Sequence, residues 1–195
     1  MKYYCWVDDD TDDSLTAINK LPDELEEHYW KLTHGVSSTD WFPDTVEFQL
    51  DPNYGVKIPD SIPNSYLLKI VSEKLKGILQ ESSESFEFYP IKLRNAKGKL
   101  STKKFYVANL INTISAIDSK KSQVRESKLD TTQVDAIKKL VLDKKKIPEE
   151  TAIFRLSESP DIYITTKEMA INIKRTNSCN GLFFIPEDEY NSIDY

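Results

Sequence analysis

Two segments of the 195-residue sequence repeat one arrangement, and that repeat narrows the folds open to the chain. Leu67 to Pro90 opens with the apolar stretch Leu67-Leu68-Lys69-Ile70-Val71, followed by Ser72, a helical stripe of Leu75, Ile78 and Leu79, and Phe86-Glu87-Phe88-Tyr89-Pro90. Ile162 to Pro186 opens with Ile162-Tyr163-Ile164, followed by Thr166, then Met169, Asn172 and Ile173, and Leu182-Phe183-Phe184-Ile185-Pro186. Aligning Ser72 with Thr166, with two extra residues in the second copy, superposes the caps, the stripes and the final prolines. A hydroxyl heading each helix accepts otherwise orphaned amides. The i, i+3, i+4 spacing gives one apolar face. The closing strand is expected to stop at proline, which has no N–H to donate. Each copy therefore predicts a β-α-β unit whose helix covers a sheet face. A duplication and a convergent use of the same rules both stay open.

Between the copies, Phe86–Arg94 and Lys103–Ala108 predict a hairpin closed around Asn95-Ala96-Lys97-Gly98, with Gly98 at positive φ. Leu110, Ile111, Ile114 and Ile117 read as a short helix stripe, with a buried strand as the alternative. Residues 119–131 read as an exposed loop, Ala136–Leu142 as a strand and Ile153–Leu156 as another. Before the first copy, Tyr3–Val7 is a strand and Asp8–Asp13 an acidic turn. Pro22, Asp23 and Glu24 then start a helix striped by Leu21, Leu25, Tyr29 and Leu32. Residues 35–63 hold four prolines and one strand candidate, Val46–Leu50. The expected fold is α+β: a mixed, largely antiparallel sheet with short helices on one face and an irregular acidic N-terminal addition. One domain is expected over 1–195, with a variable part at 1–58, a core at 59–186 and a tail at 187–195.

The aromatic share of 11% and hydrophobic share of 39% argue against disorder. Met1–Val7 runs straight into aspartates, unlike a secretory leader, and no apolar run approaches the ~20 residues that span a bilayer. A cytoplasmic protein that does not engage membranes is expected, with Cys5 and Cys179 reduced. Charge is partitioned: residues 1–60 carry 14 acids against four lysines, a net −10, while the remainder carries +4. A one-signed region steers a complementary partner. The candidate partner-binding set is therefore Asp8, Asp9, Asp10, Asp12, Asp13, Glu24, Glu27, Asp40, Trp41, Phe42 and Asp44. An ordinary solvated surface explains the acids equally well. Trp41 and Phe42, between two acids, read either as an interface anchor or as a lid on the core.

Other chemistry finds less support. His28 and His34 are the only histidines, and acids near His28 read as surface pairs rather than metal ligands. Asp8-x-Asp10-x-Asp12 starts like a calcium loop, but Asp13 and Asn19 stand where that loop needs glycine and glutamate. Neither cysteine has a histidine partner in sequence, and no phosphate-cradling motif occurs. No metal, cofactor or catalytic set is expected. Lysine-rich turns with only four arginines argue against nucleic acid. Arg155, inside an apolar strand, is expected to form a structural ion pair with Asp143.

The ordered series VSEKL (71–75), FEFYPIKL (86–93), YVANLINTISAID (106–118), LVLD (140–143), IFRL (153–156), Thr166-x-x-Met169 and LFFIP (182–186) resembles a bacterial immunity family of polymorphic toxin systems. That family was long catalogued as a domain of unknown function and named after a myxobacterial prototype. The resemblance spans roughly residues 59–186; the first 58 match little. It implies a protein that neutralises a cognate secreted toxin domain by masking its active site or substrate entry, and it brings no catalytic residues. Alternatives are an enzyme that reverses the toxin's modification and a regulatory or structural adaptor.

Overall fold

The structure is a computed structural model that describes residues 2–192; Met1 and the last three residues of the 187–195 tail lie outside it. Two five-stranded sheets carry the fold, where the sequence pointed to one. The first, in the order β12-β1-β11-β10-β7, comprises β1 (Tyr3–Asp8), β7 (Thr113–Ile114), β10 (Ile153–Leu156), β11 (Ser159–Thr166) and β12 (Leu182–Pro186). The second, in the order β2-β5-β6-β4-β3, comprises β2 (Glu47–Gln49), β3 (Ser61–Ile62), β4 (Ile70–Ser72), β5 (Phe86–Arg94) and β6 (Phe105–Leu110). Neighbours are antiparallel except β10–β7 and β2–β5. A ribbon pairs β8 (Gln123–Glu126) with β9 (Val134–Lys139). The helices are α1 (Tyr29–Thr33), α2 (Glu73–Ser82) and α3 (Lys167–Ile171), and the class is α+β.

Both copies of the repeat build the same unit. β4-α2-β5 returns parallel to itself with β6 inserted between its strands, and β11-α3-β12 does so with β1 inserted. Each is a split β-α-β unit. Ser72 Oγ accepts from the Leu75 amide at 3.2 Å and Thr166 Oγ1 from that of Met169 at 3.3 Å, as the shared caps require. The second copy, two residues longer, continues α3 as a π turn over Asn172–Thr176, a wider winding that takes up extra chain.

Side-chain alternation along the strands creates three apolar layers. Tyr3 and Cys5 face one core while Trp6 faces another; Ile162 and Ile164 divide from Tyr163 in the same way. The middle layer joins Trp6, Tyr163 and Leu182 of the first sheet to Val71, Ala108 and Leu110 of the second. It also encloses Leu75, Ile78 and Leu79 of α2, and Met169 and Ile173 of the α3 segment. The second sheet's outer face, with Ile70, Phe105 and Val107, is covered by Ile18, Leu21, Leu25, Leu32 and Phe48 from the N-terminal segment. The first sheet's outer face is covered by Ile137, Leu140 and Leu142. Cys5 and Cys179 are free and buried; burial pushes the Cys179 thiol up to about 11 and that of Cys5 further still.

Several local expectations give way to tertiary pairing. The helix expected after Pro22 breaks into a 3-10 turn, Asp23–Leu25, and α1, where four acids crowded into one helix would repel. Residues 110–117 are extended, not helical: β-branched Ile111, Thr113, Ile114 and Ile117 favour strand, and Ile117 bridges Leu142. The loop expected at 119–131 contains β8, and the strand expected at 136–142 runs from Val134 to Lys139. β5 does not stop at Pro90. The Lys92 amide donates to Val46 on the β2 side, so Pro90, two residues earlier, faces that same edge before β2 begins, where no amide is needed. The hairpin closes as expected, with Gly98 at φ +79°.

Arg155 departs most from expectation. It is 1% exposed and does not pair with Asp143, whose carboxylate instead accepts from the Lys145 amide. Its guanidinium donates to the carbonyls of Leu110 (2.6 Å), Thr33 (2.9 Å), Pro160 (2.6 Å) and Leu32 (2.6 Å), to Asn109 Oδ1 and to the Tyr163 hydroxyl (2.7 Å). It also lies 4.4 Å over the Tyr163 ring. Asn109 Nδ2 continues the network to Glu87 at 3.0 Å. Burial would raise the Glu87 carboxyl, yet donors from Ser37, Tyr89, the Ser38 amide and Asn109 hold it below its ordinary value. One polar thread thus sews the end of α1 to both sheets.

Candidate functional site

The candidate site is an open cleft of about 350 Å³ at the C-terminal end of β1. Its floor is the pair of Asp8 and Lys69. The lysine sits in the apolar run Leu67-Leu68-Lys69-Ile70-Val71, which carries its stem inward. Lys69 Nζ lies 3.3 Å from Asp8 Oδ1, with the two side chains 6% and 19% exposed. The ammonium also stands 5.9 Å from the ring centroids of Trp6 and Tyr163, whose π faces favour a cation there. Burial pushes the Asp8 carboxyl up from its ordinary value, and the charge and hydrogen bond of Lys69 act against that. The buried Trp6 indole N–H stands beside the Asp8 carboxylate and helps to lower its pKa, without forming a hydrogen bond of normal geometry.

The mouth is formed by Asp10, Asp161, Tyr54 and Leu67. Asp161, at the start of β11, accepts from Ser159 Oγ at 3.0 Å. Tyr54 and Leu67 are half-exposed. Leu67 holds φ +59°, a left-handed conformation that costs a non-glycine residue roughly 1–2 kcal/mol. The loop around it is fixed by Asn64, whose Oδ1 accepts from the amides of Tyr66 and Leu68 while Nδ2 donates to the carbonyls of Ile62 and Leu68. Ser65 Oγ and the Tyr66 hydroxyl both bond Asn19. These bonds hold a strained leucine at the rim.

The acids of the N-terminal set are dispersed over several places. Asp8 and Asp10 line the cleft. Asp9 and Asp12 close local turns: Asp9 Oδ1 accepts from Thr11, and Asp12 Oδ1 from Ser14, with Lys57 3.8 Å from Asp12. Those bonds hold the Asp12 carboxyl below its ordinary value. The loop is anchored because the Asp9 amide donates to Gly181 at φ +84°, where a Cβ would stand 2.0 Å from the Ser61 carbonyl. Asp13 is exposed beside them. Glu24 and Glu27 are exposed around α1, with Glu27 4.0 Å from His28 and the His28 ring 5.2 Å from Trp41. Trp41 and Phe42 are half-buried against the outer core, Phe42 stacked on Tyr89 at 4.2 Å. Asp40 and Asp44 flank them, exposed.

Among the described residues no group of three or more His, Cys, Asp and Glu side chains could hold a metal ion. Sequence reasoning missed Lys69, Tyr54, Leu67 and Asp161. A charged residue inside the first repeat's apolar run was a signal for Lys69; the other three gave none. A family model described as the immunity protein family Imm11 matches residues 9–188, taking in the acidic segment that the motif series left out. No curated protein matches the chain.

Proposed function

The chain belongs to the immunity protein family Imm11, and from that premise we propose that it binds a cognate toxin domain and holds it inactive in the cytoplasm of the producing cell. The action is masking of the toxin's active site or substrate entry, with no turnover and no cofactor. Family membership over residues 9–188 is the observation that carries this reading. The acid-edged cleft and the N-terminal excess of carboxylates support a protein partner with a cationic surface. Among the described residues no helix is long and apolar enough to cross a membrane.

The test is to purify the cognate toxin domain and titrate its activity with the chain. Inhibition ending at equimolar ratio, together with a 1:1 complex, is the expected result. Recovery of activity-poisoned cells at far below equimolar dose would instead mean that the chain repairs what the toxin modifies.

A further inference from the structure

Resting on that reading, we propose that the cleft beside Asp8 receives a basic side chain, arginine foremost, presented by a loop of the protein partner. Three carboxylates, Asp8, Asp10 and Asp161, face the cleft against one ammonium, Lys69. Lys69 is committed to Asp8 on the floor, and the buried Arg155 guanidinium, which acts on Asp161 from behind, is committed to carbonyls, so three carboxylates against two cations leave the mouth with one net negative charge. The rim adds what a guanidinium uses besides charge: the half-exposed Tyr54 ring to stack on, and Leu67 to cover the methylene stem.

The Trp6 indole refines the ligand. It is 3% exposed, lies in the cleft wall, and its N–H stands beside the Asp8 carboxylate without a well-formed hydrogen bond. A bare cation cannot satisfy a donor, whereas a peptide carbonyl accompanying an arginine can. A volume of about 350 Å³ admits one such residue. The loop bearing Leu67 is held by Asn64 and Asn19 before any partner arrives, so little ordering entropy is lost on binding.

N-acetyl-arginine amide, titrated into the full chain and followed by nitrogen-edited NMR, tests this without any toxin. Saturable shifts are expected at the Trp6 indole N–H and at the amides of Asp10, Leu67 and Asp161. The uncharged citrulline analogue should bind about tenfold more weakly, and the Asp10→Asn/Asp161→Asn variant should lower affinity for the arginine probe about tenfold. Asp161 accepts from Ser159 and lies near the buried Arg155 guanidinium, so the exposed Asp10→Asn alone is the variant expected to melt like the parent, and it should still weaken the arginine probe severalfold. Tyr54→Ala serves as a second variant and should weaken the arginine probe more than its lysine counterpart. Absence of saturation, equal binding of the citrulline analogue, or shifts as large around Asp23 to Glu27 as in the cleft would overturn the proposal. A chain that binds the probe yet leaves its toxin active keeps this inference and loses the proposed function; one that neutralises the toxin but ignores the probe does the reverse.

Discussion

Arg155→Met removes the guanidinium and keeps an apolar stem that reaches only to about the position of Nε. The buried carbonyls of Leu32, Thr33 and Leu110 then face apolar atoms, and Asn109 and the Tyr163 hydroxyl each lose a bond. A buried acceptor stripped of its donor costs about 1–3 kcal/mol, and bonds from a charged donor sit at the upper end. Water entering from the Pro160 side, where burial is partial, recovers some of this. The net loss is expected at about 4–6 kcal/mol, a large share of the ~5–15 kcal/mol that holds a domain folded. Arg155→Lys restores one or two donors without the fork and should cost about 2–3 kcal/mol. Urea unfolding by fluorescence, with the slope compared to that of the parent, measures both. A loss under about 1.5 kcal/mol for Arg155→Met, at unchanged slope, would show that those carbonyls find other donors and that the thread between α1 and the sheets is not held by Arg155.

Lys69→Met alone leaves Asp8 charged and buried, and should cost about 3–5 kcal/mol at neutral pH. Because burial raises the folded-state pKa of Asp8, that variant should regain stability as pH falls through the raised value and the carboxyl protonates, which melting at several pH values would reveal. Adding Asp8→Asn to Lys69→Met should recover most of the loss; no recovery would place the cost in packing. Leu67→Gly relieves a left-handed backbone and should stabilise by about 0.5–1 kcal/mol while weakening partner binding, so a destabilised variant would mean that the leucine packs rather than protrudes. Thr166→Ala should cost about 1 kcal/mol for a lost cap, and Ser72→Ala more, because Ser72 also donates to Asp60 at 2.7 Å.

Most of the local units could be read from sequence because their causes lie within a few residues. Ser72 and Thr166 cap helices through bonds three residues long, and Gly98 turns a hairpin whose arms adjoin it. The candidate site was half legible. Composition pointed to the acids of the first 60 residues, but not to which of them face a cleft and which, like Asp9 and Asp12, close their own turns.

The sequence alone determined the two capped β-α-β units, the alternation of apolar residues in their strands, and the excess of acid near the N-terminus. Tertiary structure alone decided that β1 would enter one unit and β6 the other, splitting the strands between two sheets with both helices enclosed. It also gave Arg155 carbonyls more than a hundred residues away instead of Asp143, and set Lys69 beneath Asp8. Caps and side-chain period are fixed by backbone geometry over one turn or two residues. Strand order and the partner of a buried charge are fixed by which distant surfaces can be brought out of water together, and nothing in a local stretch of chain carries that information.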